Sequence, residues 1–157
     1  MLVLIAYQPT HFLSLSYQLN DEQSQFTTSI DYCIHERKDL EDPDKSIIVI
    51  ELDEKPIGFF ILDKGTDRLQ LTTNSNSILI RSYSINPEYQ GKGYGKKVME
   101  LLENYINQLE DPINELVLSV NFENKHAYQV YLKSGFEDTG SEIIGIRGPQ
   151  HVLQKKI

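Results

Sequence analysis

The sequence predicts a single α/β domain, and three observations carry that prediction. Apolar, β-branched runs such as Ile47-Ile48-Val49-Ile50 alternate with segments whose apolar residues recur every three or four positions. One run, residues 77–85, leads through a short turn into a glycine-rich loop and then a helical pattern. Two other runs are separated only by Asp53-Glu54-Lys55, a connection so short that the strands must be antiparallel. At 157 residues the chain has the length of one domain and can bury a substantial core.

The elements follow in order. Residues 2–7 read as a first strand, too short and too lacking in basic flank for a signal peptide. Residues 10–19 and 21–38 read as helical or loop segments, and residues 39–45 as an acidic turn containing Pro43. The hairpin occupies residues 46–52 and 56–62. Residues 63–76 are polar, with Leu69 and Leu71 expected to be extended. After the strand at 77–85, Val98, Leu101, Leu102, Tyr105, Ile106 and Leu109 form an apolar stripe on a helix over 96–109. Asp111-Pro112 stops that helix. A short strand at 116–120 precedes a second helix, and residues 140–147 and 150–156 close the chain as paired strands around Gly148-Pro149.

The loop reads Gln90-Gly91-Lys92-Gly93-Tyr94-Gly95-Lys96-Lys97. Glycines at alternate positions free the backbone to take φ > 0 and to turn successive N–H groups toward one point, a concave site for an anion. The helix that follows adds its unpaired N–H groups and dipole, which favour phosphate. Lys92, Lys96 and Lys97 bring positive charge to the same place. A diphosphate-bearing ligand is expected. Spacing excludes a Walker A loop, because the position five after Gly91 is Lys96 and no Ser or Thr follows Lys97. It also excludes the dinucleotide fingerprint, whose third glycine would fall on Lys96.

A second segment reads Asn124-Lys125-His126-Ala127-Tyr128-Gln129-Val130-Tyr131-Leu132-Lys133-Ser134-Gly135-Phe136. Asn124 is a good N-cap and Gly135 a good residue just past the C-terminus of a helix of about ten residues. Ala127 and Tyr131 are four apart and share a face, so a ligand could lie against the small residue with the phenol one turn on. By its spacing alone, Tyr131 could equally be a core residue.

Gln90-x-x-Gly93-x-Gly95 after a strand resembles the coenzyme A loop of the GNAT superfamily of N-acetyltransferases. The second segment resembles that family's other signature, Asn-x-x-Ala-x-x-x-Tyr-x-x-x-Gly-Phe. The resemblance implies a GNAT-like domain over 1–157, α/β (α+β), with a mixed, mostly antiparallel sheet whose central strands splay and are flanked by helices. Residues 77–136 would form the coenzyme A-binding core, and residues 1–45 the acceptor-side helices. Acetyl-CoA would lie in the splay, with its pantetheine arm pairing near Ile85. The family's cofactor contacts carry over to Ile85, Gln90, Gly91, Lys92, Gly93, Tyr94, Gly95, Lys96, Asn124 and Tyr131. The implied reaction is direct acetyl transfer to an amine, with a backbone N–H polarising the thioester carbonyl. Tyr131, a phenol of pKa roughly 10, would protonate the departing sulfur. No metal is implied. Where family members carry Glu or His on the fourth strand, this chain has Leu79 and Arg81, so the base is open among Tyr83, Glu123, His35, Glu36 and water.

Composition narrows the partners. The formal net charge is −8, and residues 1–80 hold 13 acidic and 6 basic side chains against 10 and 9 in the remainder. That balance argues against nucleic acid. An acidic acceptor side would draw in a cationic, polyamine-like amine, or the excess serves solubility alone. No stretch is long enough to span a bilayer. The single Cys33 excludes an internal disulfide, reads as a buried thiol and points to a cytoplasmic location; a monomer or homodimer is expected. Two function classes stand: an N-acetyltransferase on a small or peptidyl amine, and a CoA-binding sensor or interaction module without turnover.

Overall fold

The computed structural model describes residues 1–157. Seven strands form one sheet: β1 (Leu2–Ala6), β2 (Lys45–Leu52), β3 (Lys55–Asp63), β4 (Ser77–Ile85), β5 (Glu115–Asn121), β6 (Glu137–Gly145) and β7 (Gly148–Lys156). Their spatial order is β1-β2-β3-β4-β5-β7-β6. Every neighbouring pair is antiparallel except β4 and β5. That parallel pair is joined only at Ser77–Glu115, Ile78–Leu116 and Leu79–Val117. Beyond Leu79 the two strands part, so the sheet is mixed, mostly antiparallel and splayed at its centre, as expected. The single parallel join follows from chain length, since a crossover of this kind needs a helix.

Two long helices cover one face, α3 (Tyr94–Asn107) and α4 (Lys125–Lys133). Val98, Met99, Leu102 and Ile106 of α3 are buried against Ile48, Phe60, Ile78 and Leu118 in the main core. The opposite face carries a smaller core built from Leu15, Ile30, Cys33, Ile47, Val49, Phe59 and Ile61. Strands buried on both faces explain why β2 and β3 read as continuous apolar runs rather than as alternations.

The first 45 residues depart from long helices. Only single turns form, α1 (Phe12–Leu15), α2 (Asp21–Ser24) and a wide turn at Tyr32–Glu36. Segments this short gain little from helical propagation and are held by packing of Leu15, Ile30 and Cys33 instead. The acidic turn is also not simply solvated, because Asp39 is 1% exposed. Leu69 and Leu71 are not extended: Thr66–Gln70 is a 3₁₀ turn, with Leu71 just past it. Arg68 knits that segment by donating to the carbonyls of Lys64, Gly65 and Ser75. Capping of this kind by one guanidinium leaves no periodic signal in the sequence. Strand β6 likewise starts at Glu137, three residues ahead of the expected position, because β7 offers it a full-length partner.

Candidate active site

The loop after β4 begins with a 3₁₀ turn at Pro87–Tyr89 and enters α3 at Tyr94, two residues earlier than the apolar stripe implies. Tyr94, Gly95 and Lys96 are therefore the first turn of the helix. Gly91 (φ 74°) and Gly93 (φ 82°) take left-handed conformations, which is why glycine is needed there. A Cβ at either position would meet nothing within 4 Å, so both border open space. No side chain caps α3, and none of the six N–H groups from Gly91 to Lys96 donates to another group of the chain. The lysines that form ion pairs are Lys45, Lys64 and Lys155, leaving Lys92, Lys96 and Lys97 free beside this cradle. Lys92 lies over the Tyr89 ring, its Nζ 5.6 Å from the centroid.

Gln90 stands differently from its neighbours. Its side-chain amide donates to the Ile85 carbonyl (2.7 Å) and exchanges hydrogen bonds with Gln23 of α2. Its backbone N–H donates to Pro87. With both groups engaged, Gln90 fastens the loop to the end of β4, where the Ile85 carbonyl accepts from it.

A β-bulge decides what faces the splay. Between Phe59 and Ile61 of β3 the register of β4 slips, with Ser82 at φ 57°. An extra residue exchanges the two faces of the strand from that point on. Leu79 and Arg81 face the smaller core, then Ser82 and Ser84 do so as well, while Tyr83 turns beneath the helices. Tyr83 lies at ring-centroid distances of 6.1 Å from Phe60 and 6.3 Å from Tyr131. Its hydroxyl is fully buried without a hydrogen-bond partner, 3.5 Å from where a Gly95 Cβ would stand. Burial, together with the nearby Tyr131 and Tyr17, raises the Tyr83 phenol well above its ordinary value, so it cannot serve as a base.

Tyr131, in α4, is 8% exposed and packs edge-on against Tyr83 and Phe136. Burial raises its phenol above the ordinary value of 10, keeping it protonated across the neutral range. Helix α4 is set as its sequence implies: Asn124 accepts from the Ala127 N–H (3.4 Å), and Gly135 takes φ 96° just past the end. Tyr17, which no local signal marks, reaches β4 from the other face and hydrogen bonds with Ser84 Oγ (2.7 Å) and O (3.1 Å). Tyrosines from three separate segments thus surround the end of β4.

On the smaller-core side, the parting of β4 and β5 opens a cleft of about 370 Å³, lined by residues including Thr27, Arg37, Asp67, Gln70, Arg81 and Gln150. Glu123, Glu36 and His35 are not among its lining residues, and His35 instead pairs with Asp31 on the surface. Arg37 reaches Asp39 through Nε and Nη2 at 2.7–2.9 Å and donates from Nη2 to Ser82 Oγ (2.8 Å). Lys45 adds a second cation to Asp39 at 3.2 Å. Burial alone would raise the Asp39 carboxyl, and the Arg37 and Lys45 contacts outweigh it, holding the group below the usual carboxylate range. That pairing stabilises the fold above the unfolded-state value near 3.9 and is lost as pH falls through the lower folded value. Asp39→Asn leaves the Arg37 guanidinium uncompensated, with Lys45 keeping only Asp42, and is expected to cost about 3 kcal/mol, read by chemical denaturation at pH 7. The loss should shrink in acid; a variant as stable as the parent at pH 7 would refute the pairing.

No three His, Cys, Asp or Glu side chains gather as a metal site. No helix is long and apolar enough to cross a membrane.

Comparison with known proteins follows the same lines. A profile of the acetyltransferase (GNAT) family matches residues 10–136. An uncharacterized N-acetyltransferase, YbbJ of Bacillus subtilis strain 168, is 34% identical over 149 residues, spanning 94% of this chain and 92% of the relative. The aminoglycoside acetyltransferase AAC(6')-Ib in complex with coenzyme A and kanamycin superposes with a TM-score of 0.77 at 16% identity, covering 99% of this chain and 95% of the other. Spermidine N-acetyltransferase of Vibrio cholerae in complex with CoA and spermine gives 0.71 at 21% identity, covering 99% and 95%. At these identities the two structures carry the fold alone.

Proposed function

Because the chain belongs to the acetyltransferase (GNAT) family, an acyltransferase family that draws on acetyl-CoA, we propose that it moves an acetyl group to the primary amine of a small or peptidyl acceptor. The observation that carries this reading is the run of six unpaired N–H groups from Gly91 to Lys96, opening at the head of α3 beside the splay. A diphosphate fits there: the N–H groups are free to donate, the helix dipole favours an anion, and Gly91 and Gly93 border open space. The orphaned Tyr83 hydroxyl adds a buried polar atom that a ligand can satisfy.

When bound, acetyl-CoA supplies an activated thioester. Gly91, Lys92, Gly93, Tyr94, Gly95 and Lys96 would hold its diphosphate through their N–H groups, with Lys97 adding charge. Gln90 positions that loop against Ile85, and Asn124 positions α4. Tyr131 Oη keeps its proton in a buried pocket, ready for a sulfur leaving group. Tyr17 and Ser84 brace the end of β4 from the acceptor side. The acceptor enters from the cleft.

No imidazole lines that cleft, and its single carboxylate, Asp67, is paired with Arg81. The amine is therefore expected to lose its proton to water. Below the acceptor's own amine pKa, kcat/KM should rise about tenfold per pH unit, without a break near 6.5. A break at that value would reveal a histidine base and overturn this account of deprotonation.

The first test is release of CoA thiol from acetyl-CoA across a panel of amines at several pH values. Amine-dependent release establishes transfer and names the acceptor class. The same cradle, lacking a dedicated base, also suits a CoA-binding sensor. Binding of acetyl-CoA without release on any amine would establish that second reading, and no binding would refute both.

A further inference from the structure

Resting on the acetyl-transfer reading, we propose that the acceptor carries a carboxylate, and that Arg37 and Arg81 hold it in the cleft while its amine faces β4. The acceptor class would then be an amino acid or a short peptide with a free C-terminus.

The arrangement of charge is the reason. Both guanidinium groups stand between a buried acid and the cavity. Arg37 retains 18% side-chain exposure whereas Asp39 behind it has none. Arg81 retains 27% against 2% for Asp63. Each arginine is anchored through some of its N–H groups and leaves others unused. Arg37 bonds through Nε and Nη2, and its Nη1 donates to nothing in the chain. Arg81 bonds to Asp63 (3.0 Å) and Asp67 (3.2 Å) through Nη1, leaving Nε and Nη2 without partners. Both remain accessible, because neither is among the closed-off orphan atoms. A planar guanidinium already locked in position matches a carboxylate with little further loss of side-chain freedom.

The neutral lining points the same way. Thr27 Oγ1 is buried without a hydrogen-bond partner, and it borders this cleft. The amides of Gln70 and Gln150 line it too. A polycation would find only Asp67 here, and Asp67 already accepts from Arg81. It would also face two like charges, which disfavours it. The cleft, about 370 Å³, is at the small end for ligand pockets and suits a compact acceptor.

The test compares matched pairs on the unaltered protein. Glycine, L-leucine, L-glutamate and Gly-Leu are supplied as free acids and as C-terminal amides, with spermine and kanamycin as polycations, and thiol release from acetyl-CoA is followed. Rates are compared at equal concentrations of the neutral amine, since amidation also lowers the amine pKa. The acid of at least one pair is expected to show a KM about tenfold or more below its amide. Arg81→Gln should abolish that ratio, and Arg81→Lys, which keeps charge but not the fork, should reduce it. If Arg81→Gln fails to fold because Asp63 is left unpaired, the wild-type ratio and Arg81→Lys still decide. Equal constants for acid and amide, or preference for spermine or kanamycin, would overturn the proposal. Calorimetry in the presence of CoA separates the two readings: acids that bind without being acetylated support the carboxylate site and refute transfer. Failure of acetyl-CoA itself to bind refutes both.

Discussion

Replacing Tyr131 with phenylalanine is expected to lower kcat by about 10²-fold while leaving the Kd for acetyl-CoA within a factor of two or so. The phenol contributes a proton, not a binding contact with another part of the chain, since its hydroxyl has no hydrogen-bond partner in the fold. Its loss should therefore spare the protein's stability, and the melting temperature checks this directly. Burial raises the Tyr131 pKa, so the acid form persists and activity should not fall through this group anywhere below pH 10. Tyr83 provides the control. Its hydroxyl also lacks a partner but is sealed from solvent, whereas that of Tyr131 is not, so Tyr83→Phe should retain turnover. Were the two variants to behave the other way round, the proton donor would be Tyr83. Equal kcat for Tyr131→Phe and the parent would remove the acid role altogether.

Gly93→Val should weaken acetyl-CoA binding by about 50- to 100-fold, measured by calorimetry. At φ 82° a β-branched residue is strained by about 1–3 kcal/mol. Relief of that strain requires the peptide to rotate, which turns its N–H away from the others and dismantles the cradle. The open space beside Gly93 is also where the new side chain must go. A loss of 2–3 kcal/mol corresponds to the stated fold-change. Gly95→Ala separates conformation from bulk. Gly95 lies in the helix with an ordinary φ, and a Cβ there would touch Val130 at 3.4 Å and Tyr83 Oη at 3.5 Å, both ordinary contacts. It should fold normally and bind far better than Gly93→Val. Unchanged affinity in Gly93→Val would refute the loop as the diphosphate site.

The two signature segments were legible because their determinants are local. Positive-φ glycines, an Asn N-cap, a Gly C-terminus and helical spacing act within a few residues of one another. The hairpin and the order of the elements from β2 onward were legible for the same reason. The arrangement of charge was not. Counting acids by segment gave an acidic first half, and the fold pairs Asp39, Asp63 and Asp67 of that half with arginines. A tally along the chain cannot tell which charge stands in front.

Residues 90–97 and 124–136 by themselves thus determined a glycine-rich turn into a helix, a capped helix and a tyrosine on its inner face, and the resemblance to the family followed from them. The tertiary structure decided the rest. The bulge at Ser82 set which side chains of β4 face the smaller core and which face the helices. Packing against β4 brought Tyr17 to Ser84 across 67 positions and Arg37 to Ser82 across 45. It also turned Gln90 toward Gln23, fastening the loop to α2. Contacts over such separations depend on how the whole chain packs, and no rule acting within a few residues could have set them.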